Sequence, residues 1–294
     1  MSSRRNFLLS SAATAALAAT PRTLRALAQL NIPIGLQLYT VRHHAETSDL
    51  ATLLRQIHSI GYQEVESYSG LNKRPAAEFR AMITDAGLRV PSGHFDYVAL
   101  RDSTDKQFAY AKEVGMQWVV CPMLPKPQWD SVEGFRTAAA DFNKWGEYAK
   151  DHGLRFAFHN HNYEFQKFAA GTKPAVGYDV LINETDPALV SFEMDCYWIT
   201  QSGNDPLAMM KRLGRRVRML HLKDRQPGAV ASQVMDADAE HFAEVGTGTI
   251  HWRAILEAAQ KHDVEHYFVE QDSISGPPLD SIRTSYQNLQ RILS

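Results

Sequence analysis

Arg155-Phe156-Ala157-Phe158-His159-Asn160-His161-Asn162-Tyr163-Glu164 opens as an apolar run and closes in imidazoles, amides and a carboxylate. Burying such groups unpaired costs several kcal/mol, so a strand that ends this way marks a place where chemistry is done. Other runs behave alike. Leu189–Asp195 ends Glu193-Met194-Asp195, Val217–Leu222 leads into His221-Leu222-Lys223-Asp224, and His266–Glu270 continues as Glu270-Gln271-Asp272. Toward the N-terminus, Tyr62–Glu66 ends in a glutamate and Arg89–His94 in a histidine, while Ile34–Leu38 and Trp118–Cys121 complete the set of eight. Amphipathic segments separate them at 49–60, 76–86, 106–114, 132–152, 207–213, 252–262 and 279–292. Gly61, Gly87, Gly115, Gly153 and Gly214 stand where helix C-termini favour a left-handed residue, and Ser48 and Asp205 stand where N-caps belong.

Eight strand–helix alternations in about 260 residues predict an α/β fold, a single-domain parallel (β/α)8 (TIM) barrel. The rival, a doubly wound sheet, carries a glycine-rich turn after its first strand. Here that place reads Gln37-Leu38-Tyr39-Thr40-Val41, without glycine. The longest interval between strands, Asp224–Thr249, reads as a lid or rim insertion.

The 294 residues, 44% hydrophobic and 22% charged with a net charge of −2, exclude disordered and fibrous classes and give no basic footprint for nucleic acid. Two cysteines, Cys121 and Cys196, supply no disulfide framework, and two free buried thiols are expected. Arg4-Arg5 precedes an apolar run from Phe7 to Ala19 that is too short to span a bilayer comfortably. This resembles a twin-arginine export signal. Of two small-residue cleavage candidates, Ala16-Leu17-Ala18 and Ala26-Leu27-Ala28, the second leaves little chain before the first strand. Residues 1–28 are therefore expected to be a leader and 29–294 a periplasmic barrel, soluble and not membrane-associated once cleaved. Cleavage removes four arginines and no acid, leaving a net charge of −6. Assembly into a homo-oligomer is compatible with this sequence.

Side-chain alternation sharpens the site. Glu193 and Asp195 share one strand face, as do Met219, His221 and Lys223, and Phe268, Glu270 and Asp272. With the apolar faces packed on helices, Glu164, Asp195, His221 and Glu270 are expected to converge in the barrel mouth. Carboxylates with one imidazole suit a hard or borderline divalent cation, Mn²⁺ foremost, or Mg²⁺, Co²⁺ or Zn²⁺.

The motifs beginning at His159, Glu193 and His221, with Glu244-Val245-Gly246-Thr247-Gly248 and Tyr267-Phe268-Val269-Glu270-Gln271-Asp272, resemble the xylose isomerase-like barrel superfamily, in its sugar phosphate isomerase/epimerase branch. The likeness runs from Gly35 to the last helix. It implies a divalent metal on Glu164, Asp195, His221 and Glu270, with Glu164 and Glu270 doubling as acid and base on opposite faces of a sugar. The apurinic endonuclease branch adds a histidine where this chain has Trp198 and an Asp-x-His pair that is absent from 224–240, so DNA repair is not implied. Lys223 after His221 is similar to the inosose dehydratase-like branch, where elimination follows the same enolate.

The expected function is a metal-dependent isomerase or epimerase of a sugar or keto-sugar acting through an enediolate. His161 and Lys223 would orient substrate oxygens, Trp198 would stack on the sugar, and His94 and Glu66 would line the site. The alternatives are a lyase eliminating across a keto-sugar such as a 3-keto-glycoside, and a non-catalytic carbohydrate-binding barrel.

Overall fold

The computed structural model describes residues 32–47, 49–169, 174–235 and 241–294. The leader and the Ser48 cap lie outside these residues. Eight parallel strands close into a barrel: β1 Ile34–Gln37, β2 Glu64–Ser67, β3 Arg89–His94, β4 Trp118–Cys121, β5 Arg155–His159, β6 Val190–Asp195, β7 Val217–Leu222 and β8 His266–Val269, with β8 pairing back onto β1. Every expected strand is present with ends shifted by at most two residues. The expected helices form too, joined by short helices at Tyr97–Asp102, Gly177–Glu184 and Cys196–Gln201 that weak or interrupted periodicity concealed. Among the described residues no helix is long and apolar enough to cross a membrane.

Local signals explain the boundaries. Asp49 caps helix Leu50–Ile60 by accepting from the backbone N–H of Ala51, and Asp205 caps helix Pro206–Leu213 through Leu207 N–H. The long helix Val132–Asp151 buries Phe135, Ala138, Phe142, Trp145 and Ala149, spaced by three and four so that one stripe faces the barrel wall. Cys121 and Cys196 are both free and buried.

Inside the barrel, side chains stack in layers. Trp118, Val120, Ala157, Met219 and Phe268 form an apolar plug. Above it stand Gln37, Glu66, His94, His159, Glu193 and His221, all buried. The plug closes the barrel from below, so the polar layer opens only toward the C-terminal ends of the strands. Gly35 makes room for the plug, since a Cβ built there would fall 2.5 Å from Phe268 Cδ1. Gly35→Ala is therefore expected to destabilise the barrel by about 1–3 kcal/mol in urea denaturation; unchanged stability would show that the Phe268 ring does not pack there.

Candidate metal centre and active-site cavity

Register carries the charged side chains to one height. His159 lies opposite Glu193 across β5–β6, and Asp195 opposite His221 across β6–β7. Asp195 ends β6 and caps the following helix, its Oδ1 accepting from Trp198 N–H at 2.9 Å. Asn160 holds the same residue from the side, its Oδ1 accepting from Asp195 N–H at 3.1 Å. That leaves Asp195 Oδ2 free to point at its neighbours.

Four donors come together there. One atom each from His159, Asp195, His221 and Glu270, all buried, lie within 4.8 Å of one another. His221 Nδ1 is 2.8 Å from Glu270 Oε2 and 3.9 Å from Asp195 Oδ2, and His159 Nε2 is also 3.9 Å from Asp195 Oδ2. Lys223 closes the group, its Nζ 3.1 Å from Asp195, 2.8 Å from Glu270 and 2.5 Å from Asp272.

The electrostatics follow from burial and acid density. Burial works against the Lys223 charge, but Asp195, Asp272 and Glu270 outweigh it and hold the ammonium well above its ordinary range. Burial likewise opposes protonation of His221, and Glu193 and Glu270 reverse that. Burial lifts Asp195 to about 6 against the pull of Lys223 and His221. His161 is pushed down to about 3, by burial first and by Lys223 second, so its ring is neutral.

Three of the four expected metal ligands, Asp195, His221 and Glu270, are brought together, and His159 takes the fourth place. Glu164 lies outside the group. It sits in a turn, Tyr163–Phe165, five residues past the end of β5, and its Oε2 folds back to accept from the backbone N–H of His161 at 2.9 Å. Burial lifts its carboxyl to about 8, against the pull of its backbone hydrogen bonds. His159 carried a signal: it ends β5 two residues after Ala157, whose side chain faces inward. Lone strand histidines are more often core residues, which is why it did not stand out.

The donor set fits a divalent cation. Two imidazole nitrogens and two carboxylates suit Zn²⁺, Mn²⁺ or Co²⁺. Asp195 Oδ2, the oxygen not used in capping, is buried at the centre of this group, with the Lys223 ammonium 3.1 Å away as its counter-charge.

A cavity of about 310 Å³ opens above the donors. His94, His159, His161, Trp198, Glu270 and Asp272 form its inner wall, so of the four donors His159 and Glu270 face it directly. His161 Nδ1 and Trp198 Nε1 are buried there without hydrogen-bond partners. Glu66 lies deeper, against His221 and Gln37, and His94 bridges that depth to the cavity. The outer wall, supplied by segments beyond the strand ends and invisible to strand-end reasoning, includes Tyr39, Arg42, Tyr68, Met123 and Met235.

The rim insertion is an ordered strap in its described part. Asp224–Arg225 pairs with Phe242–Ala243, and Asn162 and Gln201 donate to the carbonyls of Ser232, Val234 and Val230, laying the segment across the barrel top. Asp224 anchors its return by accepting from the backbone N–H groups of Gly246, Gly248 and Ile250 and from Trp252 Nε1. A Cβ on Gly248 would fall 2.3 Å from Asp224 Oδ1, which explains the glycine.

The family model for the xylose isomerase-like TIM barrel matches residues 54–292. The chain belongs to that family. Among curated proteins, this xylose isomerase-like barrel is similar to the inosose dehydratase of Clostridium botulinum (strain Alaska E43 / Type E3), 27% identical over 158 residues, 50% of this chain and 51% of the relative. It is also similar to that of Geobacillus thermodenitrificans (strain NG80-2), 28% identical over 171 residues, 54% of this chain and 53% of the relative. The chain thus spans about half the length of the curated relatives it matches. Among solved structures, a sugar phosphate isomerase/epimerase from Parabacteroides distasonis superposes with a TM-score of 0.72 at 24% identity, covering 87% of this chain and 96% of that one. The IolI protein with a bound zinc atom superposes with a TM-score of 0.66 at 14% identity, covering 90% and 98%. At these identities the structural likeness shows the fold.

The buried Glu164 gives a stability test. Its carboxyl is raised from 4.5 to about 8, so the folded chain keeps a proton that the unfolded chain releases between those values. The contribution is complete below pH 4.5 and is lost as pH rises toward 8. The stability of Glu164→Gln relative to the native protein is expected to rise between pH 5 and pH 8, on the order of 1–3 kcal/mol, in urea titrations at both pH values. A pH-independent difference would show that the carboxyl ionises normally.

Proposed function

We propose that this barrel is a divalent-metal-dependent isomerase or epimerase that moves a proton next to the carbonyl of a sugar or keto-sugar. The observation that carries the reading is Glu270, a carboxylate that belongs to the four-donor group and also faces the cavity. His159, Asp195, His221 and Glu270 would hold the cation, which when bound stabilises negative charge developing on the substrate's carbonyl oxygen.

The chain's own groups do the rest. Glu270 is held ionised between Lys223 and His221, its carboxyl kept well below the ordinary range against the penalty of burial. It takes the C–H proton and returns it to the neighbouring carbon on the same face, which is isomerisation; inversion at one carbon would need a second proton donor on the opposite face. Neutral His161 offers an unpartnered Nδ1 to a substrate hydroxyl, and Trp198, packed 5.2 Å from the His161 ring, supplies a flat wall for the sugar's C–H face. Lys223, fixed 5.3 Å over the Trp198 ring, keeps the carboxylates beside it in place. The strap across the barrel top limits water. Glu164, protonated and buried, fixes the turn that carries His161 and is not part of the proton path.

Purified protein incubated with keto-sugars in D2O is expected to incorporate solvent deuterium at the carbon next to the carbonyl. Glu270→Gln is expected to reduce that exchange by about 10²–10⁴-fold, read by mass spectrometry. A native protein that binds sugars without any exchange would be a carbohydrate-binding barrel instead.

Elimination is the second reading, with two supports. The outer wall is apolar beyond the needs of a free sugar: Tyr39, Met123 and Met235 are each more than a third exposed and all border the cavity. The curated relatives, moreover, are named as dehydratases. For this outcome Asp272, bordering the cavity and raised by burial, would protonate the departing oxygen. A 3-keto-glycoside with an aromatic leaving group is then expected to yield an unsaturated keto-sugar absorbing in the ultraviolet; recovery of the intact glycoside as its epimer would favour the first reading.

Residence in the periplasm belongs to the same proposal, supported by Arg4-Arg5 and the apolar run after it. A non-phosphorylated sugar suits that compartment.

A further inference from the structure

A second ring of charged groups lies directly beneath the four donors. Glu66 Oε2 accepts from Gln37 Nε2 at 2.8 Å and lies 2.8 Å from His221 Nε2 and 3.2 Å from His94 Nε2. Glu193 Oε2 is 2.8 Å from His94 Nε2, 3.1 Å from His159 Nδ1 and 3.2 Å from His221 Nε2. Both imidazoles of the donor set therefore face two ways. His221 turns Nε2 down to Glu66 and Glu193 and Nδ1 up to Glu270, while His159 turns Nδ1 down to Glu193 and Nε2 up toward Asp195.

A ring nitrogen held against a carboxylate carries the proton, which on His159 leaves the lone pair on Nε2; on His221, whose Nδ1 also faces Glu270 at 2.8 Å, the lower carboxylates keep the Nε2 proton when a cation shares Glu270 and takes the Nδ1 lone pair. The backbone is shaped for this contact. The pairing of β2 with β3 slips between Glu64 and Glu66, and the pairing of β6 with β7 slips between Phe192 and Glu193. Slips of this kind re-aim side chains near functional sites, and both lie immediately beside the two glutamates concerned. Neither glutamate borders the cavity, and His94 stacks between them with its ring 13° from parallel to His221.

The structure assigns Glu66 and Glu193 as positioning residues that fix the tautomer and rotation of His159 and His221, so that both rings turn a lone pair to the cation site. This rests on the cation reading given above and not on the reaction catalysed. The ring beneath is itself rich in donors, since His94, His159, Glu193 and His221 also lie within 4.8 Å of one another. Filling both groups at once would require the two shared imidazoles to give up both ring protons, which argues for one cation above and protons below.

The test strips the full chain with a chelator and titrates it with Zn²⁺ against a chromophoric competitor, then records the visible spectrum of the Co²⁺-loaded protein. One ion per chain is expected. Glu66→Gln and Glu193→Gln are each expected to keep that stoichiometry, weaken binding by about 10–100-fold and alter the Co²⁺ spectrum. Circular dichroism controls for folding, and Glu193→Asp and Gln37→Ala give the same readouts should a glutamine variant fail to fold. Unchanged affinity and spectrum in the variants would overturn the assignment. So would two ions per native chain with one lost in Glu193→Gln, since the lower ring would then be a site itself. A native chain that binds no ion removes the cation reading as well; one that binds a single ion but turns over no keto-sugar leaves this inference standing and removes only the catalytic one.

Discussion

Buried negative charge is the constraint on which this barrel's interior depends. Glu66, Glu193, Asp195 and Glu270 are all buried in the upper half of one barrel, with Asp272 beside them. Lys223 is the lysine that reaches three of them, and the remaining positive charge must come from protonated imidazoles or from a metal. Unpaired, each acid would cost several kcal/mol, so the cluster persists only because partners are built in at hydrogen-bond distance. A fold kept for stability alone would place apolar side chains here, as the plug immediately below does. The expense points to function.

The charge is also layered. His159 and His221 sit at the boundary, each with one nitrogen toward the lower carboxylates and one toward the upper group. The lower layer is closed beneath by Trp118, Met219 and Phe268, while the upper layer opens on a cavity with a polar floor and an apolar outer wall. A substrate entering from above therefore meets Glu270 and His161 before anything deeper, and the strap tied down through Asn162, Gln201 and Asp224 restricts the entrance. Barrel closure fixes the floor, and loops shape the mouth.

The barrel was legible in the chain because parallel strands buried on both faces read as short apolar runs, and glycines and caps punctuated the helices between them. Asp195, His221 and Glu270 were legible for the same reason: each ends or follows a strand with its side chain on the inward face, so alternation alone places it. Glu164 lies beyond the strand end, where alternation no longer holds and the chain turns back on itself, so it falls outside the four-donor group in which His159, still on the strand, stands. Glu66 and Glu193 were visible as strand carboxylates, yet their contacts depend on register slips that no periodicity announces. Arg42, Met123 and Met235 could not be found from patterns at all, since separate connections between strands and helices, far apart in the chain, bring them to the cavity wall.

Everything functional proposed for this protein depends on one cation held by four particular side chains. Anomalous diffraction from crystals of the metal-loaded protein, collected on both sides of the metal's absorption edge, tests that most directly. A single strong peak per chain is expected, bonded to His159 Nε2, Asp195 Oδ2, His221 Nδ1 and Glu270, with Glu164 not among its ligands. A peak coordinated by Glu164, or one seated among His94, Glu66 and Glu193, would contradict it.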